Sequence, residues 1–303
     1  MLTVDHPAQL RELHTPVHWA MGFFDGVHLG HRRVIQAPIP PETLRGALTF
    51  DRHPLELLRP EQAPLLLTPD ARQKEKQLSA AGVDVLLRLP FTSELAAMSP
   101  ADFLDMLASA CPIAGASVGA NWRFGRDGLG TPALLRQLGA QRGFGVHIQE
   151  LARVGECPVS SSRIRSALAE GRLHEVEMLL GRPFGIEGEV EHGQKLARKL
   201  GFPTANVRVA ERAALPPYGV YRVLCRWGGE AHLGIANIGL RPTVAEDIKR
   251  PRLEVHLPGW QGELYGRRLS VELLELLRPE QKFPSIDALK EQMQRDISAL
   301  GLG

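Results

Sequence analysis

Short apolar runs alternate with helical patterns through the first half of the chain. Residues 17–21, 46–50, 83–89, 116–119 and 145–148 read as buried strands. One helix-start signal recurs between them. Thr68-Pro69-Asp70, Ser99-Pro100-Ala101-Asp102 and Thr131-Pro132 each set a capping hydroxyl before a proline at the first helical position. The proline's missing N–H is harmless there, because that donor has no intrahelical partner anyway. Strand and helix in alternation predict a parallel sheet covered by helices.

Residues 160–182 break this rhythm. Ser160-Ser161-Ser162 can cap a short helix that Gly171 ends, and a second short helix runs to Leu180 and stops at Gly181-Arg182-Pro183. Beyond Pro183 the period changes to two, with alternating segments at 220–227, 232–238, 253–257 and 269–277. Gly228-Gly229 reads as a hairpin turn between the first two. The last element is a helix capped by Ser285, with Ile286, Leu289, Met293, Ile297 and Leu300 on one apolar stripe. The expected organisation is an α/β domain over residues 1–182 and a small β-barrel closed by a C-terminal helix over residues 183–303.

Composition changes this picture little. A length of 303 residues with 44% hydrophobic and 23% charged positions suits two globular domains and excludes collagen, coiled coil and wholesale disorder. The net charge of +2 argues against a nucleic-acid partner. No apolar run approaches the ~18 residues that span a bilayer, and the N-terminal MLTVDHPAQLRE has neither the basic nor the apolar part of a secretory signal. Cys111, Cys157 and Cys225 are far apart and odd in number, which reads as buried thiols in a reducing compartment and points to the cytoplasm.

Two segments carry chemistry in the first half. GFFDGVHLGH, residues 22–31, follows the first predicted strand and leads into a helix, where backbone N–H groups suit a phosphate. His28 and His31, three apart, share a face on the first helical turn and can both donate to phosphate oxygens. An HxGH string alone would read as one capping and one exposed histidine; the strand–loop–helix context favours the phosphate site. In VSSSRIR, residues 159–165, hydroxyls at a helix start stand beside two arginines, which suits a triphosphate. An ordinary N-cap followed by solvated arginines has the same pattern.

In the second half, Gly188 to Gly193 come near a phosphate-binding P-loop, but Gln194 stands where lysine is required and no helix pattern follows. GFPTAN, residues 201–206, is more informative. Thr204 and Asn206, one residue apart on an extended segment, point the same way and offer hard oxygens suited to Mg²⁺. In LEVHL, residues 253–257, alternation puts Glu254 and His256 on the face opposite the apolar residues, where a carboxylate could act as general base. A polar turn and a solvated strand face are the plain alternatives for these two segments.

The order of GFFDGVHLGH, LTFDRHP, VGANWRFGRDGLGT and VSSSRIR, followed by GFPTAN, PPYGVYRV, ANIGLRPTV, LEVHL, GELYG and LLRPEQKFPSIDALKEQMQRDI, resembles the prokaryotic bifunctional riboflavin kinase/FMN adenylyltransferase (FAD synthetase) family over nearly the whole chain. The resemblance implies a Rossmann-like parallel-sheet nucleotidylyltransferase domain and a flavokinase-like barrel. It implies ATP contacts at Gly22, Phe23, Asp25, His28, His31, Ser161, Ser162 and Arg165, and flavin contacts at Phe50, His53, Asn121 and Phe124. In the kinase it implies nucleotide and flavin contacts at Gly201, Pro203, Thr204, Asn206, Asn237 and Arg241, with Mg²⁺ at Thr204 and Asn206 and Glu254 as the base for the riboflavin 5′-hydroxyl. The implied catalytic residues are Glu254, His28 and His31, the substrates are riboflavin, FMN and ATP, and FMN and FAD are intermediate and product. Ser162 replaces a usual threonine, Trp122 a usual phenylalanine and Ala197 a frequent glycine. Asp127-Gly128-Leu129 replaces a more basic stretch, and residues 36–44 are short for a full crossover helix.

Overall fold

A computed structural model describes residues 1–192, 202–241 and 250–301. The chain forms two compact units, Met1–Leu65 with Ala71–Ser161, and Leu66–Asp70 with Ser162–Gly303.

The first unit is built on a parallel sheet. Its strands are β1 (Leu2–Val4), β2 (Val17–Met21), β3 (Leu44–Phe50), β4 (Val85–Leu89), β5 (Ile113–Gly119) and β6 (Gly145–Gln149), in the order β1-β4-β3-β2-β5-β6. Its helices include α1 (Leu29–Ile35), α2 (Pro54–Leu58), α3 (Ala71–Ala80), α4 (Ser93–Ala97), α5 (Pro100–Ala108) and α6 (Pro132–Gln141). Alternation along β2 sends side chains to both faces. Val17, Trp19 and Met21 pack with Leu104 and Leu107 of α5 and Leu135 of α6, while Ala20 packs with Val34 and Ile35 of α1 and Leu78 of α3. Each fully buried large side chain contributes about 1.5–3 kcal/mol.

Ser99 and Thr131 cap α5 and α6 as the sequence predicts, accepting from the N–H groups of Asp102 and Leu134 at 3.2 and 3.1 Å. The third signal fails: α3 begins at Ala71, three residues after Thr68. Residues 66–70 are instead held in the second unit. Leu66 N–H donates to the Arg212 carbonyl at 2.7 Å, the Leu66 carbonyl accepts from Ala214 N–H at 2.8 Å, and Asp70 pairs with Arg268 at 2.8 Å. A hairpin of β7 (Arg153–Val154) and β8 (Cys157–Pro158) completes the first unit. Cys111 is buried as expected, whereas Cys157 on β8 is exposed.

α7 (Ser161–Ala169) and α8 (Leu173–Leu180) follow, with Gly181 in the left-handed conformation ending α8. The second unit contains a closed antiparallel barrel in the order β10-β13-β12-β11-β14-β9. Its strands are β9 (Phe184–Glu191), β10 (Thr204–Val207), β11 (Gly219–Trp227), β12 (Glu230–Arg241), β13 (Arg250–His256) and β14 (Arg268–Pro279). Gly228 and Gly229 have φ of 55° and 88°. Two consecutive positive φ values are what the type I′ two-residue hairpin needs, and Trp227 pairs directly with Glu230. The final helix, α9 (Ile286–Ser298), is capped by Ser285, and Ile297 and Leu300 pack on Val220 and Ile235. The predicted stripe is too long at its start, because Ile286 is 60% exposed. Asp296 instead turns inward and is clamped by Arg278, Nη2 to Oδ2 at 2.8 Å, and by Gln292 at 2.8 Å.

Candidate active sites

In the first unit the chain runs from β2 through β3 to β4 on one side and then returns to place β5 on the other side of β2. The carboxyl ends of β2 and β5 therefore bound the crevice where open α/β sheets hold ligands. A cavity of about 220 Å³ lies there, lined by Gly22, Phe23, Phe24, His28 and His31 after β2, by Asn121 and Trp122 after β5, and by Ser160 and Ser161.

His28 is the N-cap of α1, and its Nδ1 accepts the His31 backbone N–H at 3.2 Å. That bond puts the proton of the neutral ring on Nε2, which becomes its donor. The two imidazoles stack, with centroids 3.6 Å apart and planes 16° apart. Gly30 leaves room for this, since a Cβ there would stand 3.1 Å from the His28 ring. Phe24 meets His31 edge-on at 5.4 Å. Burial, then the neighbouring His28, then Lys74, hold the His31 pKa well below the usual imidazole value. Its Nδ1 has no hydrogen-bond partner among the described residues.

The loop between β2 and α1 is strained. Phe24 and the β-branched Val27 have φ of 54° and 40°. Such conformations cost about 1–3 kcal/mol each and persist only where surrounding contacts enforce them. Thr49 Oγ1 donates to the Phe23 carbonyl at 2.9 Å, and Ser161 Oγ donates to the carbonyl of the buried Asp25 at 3.0 Å.

The structure brings Gly22, Phe23, His28, His31, Asn121 and Ser161 together at this cavity. Other residues named from sequence stand elsewhere. His53 caps α2, accepting from Leu55 N–H at 3.2 Å, and its ring meets Phe23 edge-on at 4.8 Å. Phe50 packs edge-on against Phe91 at 5.1 Å. Phe124 is 7% exposed and lies stacked on Trp122 at 4.6 Å; Trp122, not Phe124, lines the cavity. Ser162 and Arg165 lie on α7 within the second unit, where Arg165 donates to Ser162 Oγ at 3.1 Å.

In the second unit a cavity of about 490 Å³ is lined by Pro203, Thr204 and Asn206 together with Leu257, Trp260 and Tyr265. Strand register brings the remaining polar residues into line. Glu254 on β13 pairs with Asn206 on β10 and with Asn237 on β12, so the three form one row across three strands. Directly paired residues point to the same face of a sheet. The next same-face pair is Thr204 with His256, and the His256 Nδ1 stands 2.8 Å from the Pro203 carbonyl, fixing the start of β10. Glu254 does not line the cavity itself; it lies in the row beside Asn206. Its Oε2 pairs with Arg252 Nη2 at 3.1 Å. Arg252 was not singled out from sequence, although a period of two puts it on the Glu254 face. Gly201, Gln194 and Ala197 lie outside the described residues, as does the side chain of Arg241.

Thr204 and Asn206 offer a hydroxyl and an amide oxygen, both hard and uncharged. No cluster of three or more His, Cys, Asp or Glu side chains able to hold a metal occurs among the described residues. Such a sparse donor set fits a cation that keeps waters and shares substrate phosphates. No helix among the described residues is long and apolar enough to cross a membrane.

Two family models match the chain, FAD synthetase over residues 10–163 and riboflavin kinase over residues 180–301. The bifunctional riboflavin kinase/FMN adenylyltransferase of Pseudomonas fluorescens is 40% identical over 299 residues, covering 96% of this chain and 94% of its own. The enzyme of the same description from Escherichia coli K12 is 40% identical over 91% of this chain and 89% of its own, and that from Bacillus subtilis 34% identical over 97% and 94%. A crystal structure described as a macrolide-efflux protein from Streptococcus pneumoniae superposes with a TM-score of 0.84 and 26% identity, over 100% of this chain and 99% of that one. That likeness bears on the fold.

Proposed function

The chain belongs to the bifunctional riboflavin kinase/FMN adenylyltransferase family, and on that premise we propose how its residues divide the work. It phosphorylates riboflavin to FMN and then adenylylates FMN to FAD, using ATP with a divalent cation in both steps. We assign adenylyl transfer to residues 1–182 and the kinase to residues 183–303; the family matches end at 163 and resume at 180, and, residues 66–70 aside, the compact unit that holds the barrel begins already at Ser162.

In the kinase, Glu254 takes the proton of the riboflavin 5′-hydroxyl as that oxygen bonds to the γ-phosphorus of ATP, while the bond from that phosphorus to the β,γ-bridging oxygen breaks and ADP leaves with the electron pair. The row Asn206–Glu254–Asn237 supports this assignment. Arg252 holds one carboxylate oxygen and leaves Oε1 for the hydroxyl. Thr204 and Asn206 would hold Mg²⁺, which supplies charge neutralisation on the phosphates.

In adenylyl transfer, an FMN phosphate oxygen bonds to the α-phosphorus of a second ATP while the bond from that phosphorus to the bridging oxygen breaks. Pyrophosphate leaves with the electron pair. The phosphate is already a nucleophile, so no side chain need be activated. His28, through Nε2–H, and the neutral His31 donate to oxygens where charge builds. Asn121 and Trp122 are placed to meet the flavin or nucleotide rings, and Ser161 a phosphate. For Ser162, Arg165, Phe50, His53 and Phe124 we retain supporting roles only. The cytoplasm, where ATP is abundant, is the compartment we assign.

The observation that carries the whole reading is the presence of both family matches, end to end, in one chain. Incubation with riboflavin, ATP and Mg²⁺, with chromatographic separation of the flavins, tests it. FMN should appear first and FAD second, and chelation should stop both. FMN accumulation with no FAD, even with FMN supplied and ATP in excess, refutes the bifunctional reading.

A further inference from the structure

A lysine that no motif includes holds the loop carrying the histidine pair. Lys74 projects from α3 and is 8% exposed. Its Nζ donates to the Phe23 carbonyl at 3.2 Å and stands 4.0 Å from the centre of the Phe23 ring. The same carbonyl accepts from Thr49 Oγ1, so two side chains from different elements converge on one backbone oxygen. One residue later the backbone enters the strained turn through Phe24 and Val27.

Burying an ammonium is unfavourable unless specific partners offset it, and a leucine at this position of α3 would pack without that penalty. The acidic groups acting on Lys74 are Asp25 from the loop itself, Asp51 beyond β3 and Glu56 of α2; the basic one is Arg88 of β4. Arg88 is itself engaged by Asp5 and Glu75, at 2.8 and 2.7 Å. The lysine charge also disfavours protonation of His31. Lys74 is not among the residues that line the cavity; its direct contact is with Phe23 of the loop.

We infer that Lys74 is a positioning residue for adenylyl transfer: its ammonium fixes the Phe23 carbonyl and ring, and thereby the strained turn that sets His28 and His31 against the substrate phosphates. This rests on the assignment of those histidines to adenylyl transfer. Burial brings the Lys74 pKa down to about 8 despite the nearby carboxylates. The cation is therefore lost as pH rises through about 8, where an arginine would keep its charge.

The test uses the full chain with Lys74→Met, Lys74→Arg and, as reference, His31→Ala. FMN adenylylation is followed from about pH 6.5 to 9.5, and riboflavin phosphorylation by the same preparations serves as the folding control. Lys74→Met should lower adenylylation kcat about tenfold, the scale of one lost charge-assisted hydrogen bond, with the kinase intact. Lys74→Arg should retain activity and hold it above pH 8, where the wild type declines. Wild-type kcat in Lys74→Met overturns the inference, and so does an alkaline decline that Lys74→Arg leaves in place. If Lys74→Met loses the kinase as well, the pH profile of Lys74→Arg decides alone. Undiminished adenylylation in His31→Ala would overturn the histidine assignment instead.

Discussion

Replacing Glu254 by glutamine separates its chemistry from its packing. The substitution keeps the size of the side chain and one carbonyl acceptor, but glutamine takes no proton at neutral pH. Its structural cost is bounded by the pair with Arg252, whose side chain is 34% exposed against 22% for Glu254. A partly solvated pair of this kind contributes about 0–1 kcal/mol, so the denaturation midpoint should barely move. Loss of a general base lowers turnover by about 10²–10⁴. At about 1.36 kcal/mol per decade that is roughly 2.7–5.4 kcal/mol in the barrier, well above the stability term. The assay is FMN formation from riboflavin and ATP, with FAD formation from supplied FMN measured on the same preparation. Kinase kcat should fall by at least two decades, KM for riboflavin should hold, and adenylylation should be untouched. Wild-type kinase turnover would refute the role of Glu254, and a parallel loss of both activities would mean that the change acts through folding.

Replacing both His28 and His31 by alanine should cost about 2.7–4 kcal/mol of transition-state stabilisation per donor. Losing the His28 cap adds about 0.5–2 kcal/mol of local stability; riboflavin phosphorylation should survive, and its loss in step would point to misfolding. His18, buried on β2 beside His147 and Arg45, has its pKa lowered from 6.5 to about 4, first by burial and then by those neighbours. The unfolded chain therefore takes up this proton first, so the stability His18 contributes is present above about pH 6.5 and is lost as pH falls toward 4. Urea midpoints between pH 7 and 4.5 should flatten in His18→Leu, and an unchanged slope would exonerate the residue. Arg278→Leu strands the buried carboxylate of Asp296 and should cost about 3–5 kcal/mol in equilibrium unfolding. Leucine at both positions should recover most of that, and equal losses in single and double variants would refute the ion-pair account.

The central strands were legible because they are buried on both faces, so 17–21 and 46–50 read as plain apolar runs. β1 was not: three residues at an edge carry no period. β9 also escaped notice, because its outward positions are glycine and glutamate and its pattern shows only once Phe184, Ile186 and Val190 are known to face the core. The histidine pair and Thr204, Asn206 and Glu254 could be named from motifs, since their chemistry lies in residue type and spacing. The register that lines Glu254 up with Asn206 and Asn237 is a long-range property of strand pairing and leaves no local trace. Lys74 was hidden for the same reason. It sits 51 residues from the carbonyl it holds, on a helix whose other charged side chains look like ordinary surface.

Residues 66–70 make the molecule discontinuous in synthesis. A nascent chain enters the second unit for five residues, returns to the first for 71–161, and only then completes the second. Leu66 must wait for Ala214, roughly 150 residues downstream, and Asp70 for Arg268, roughly 200 downstream. At about 5–20 residues per second that is roughly 10–40 s on the ribosome. Through that interval the partners that Leu66 and Asp70 meet in the second unit have not been made, and the Leu65-Leu66-Leu67 run is a natural place for a chaperone to bind or a protease to cut.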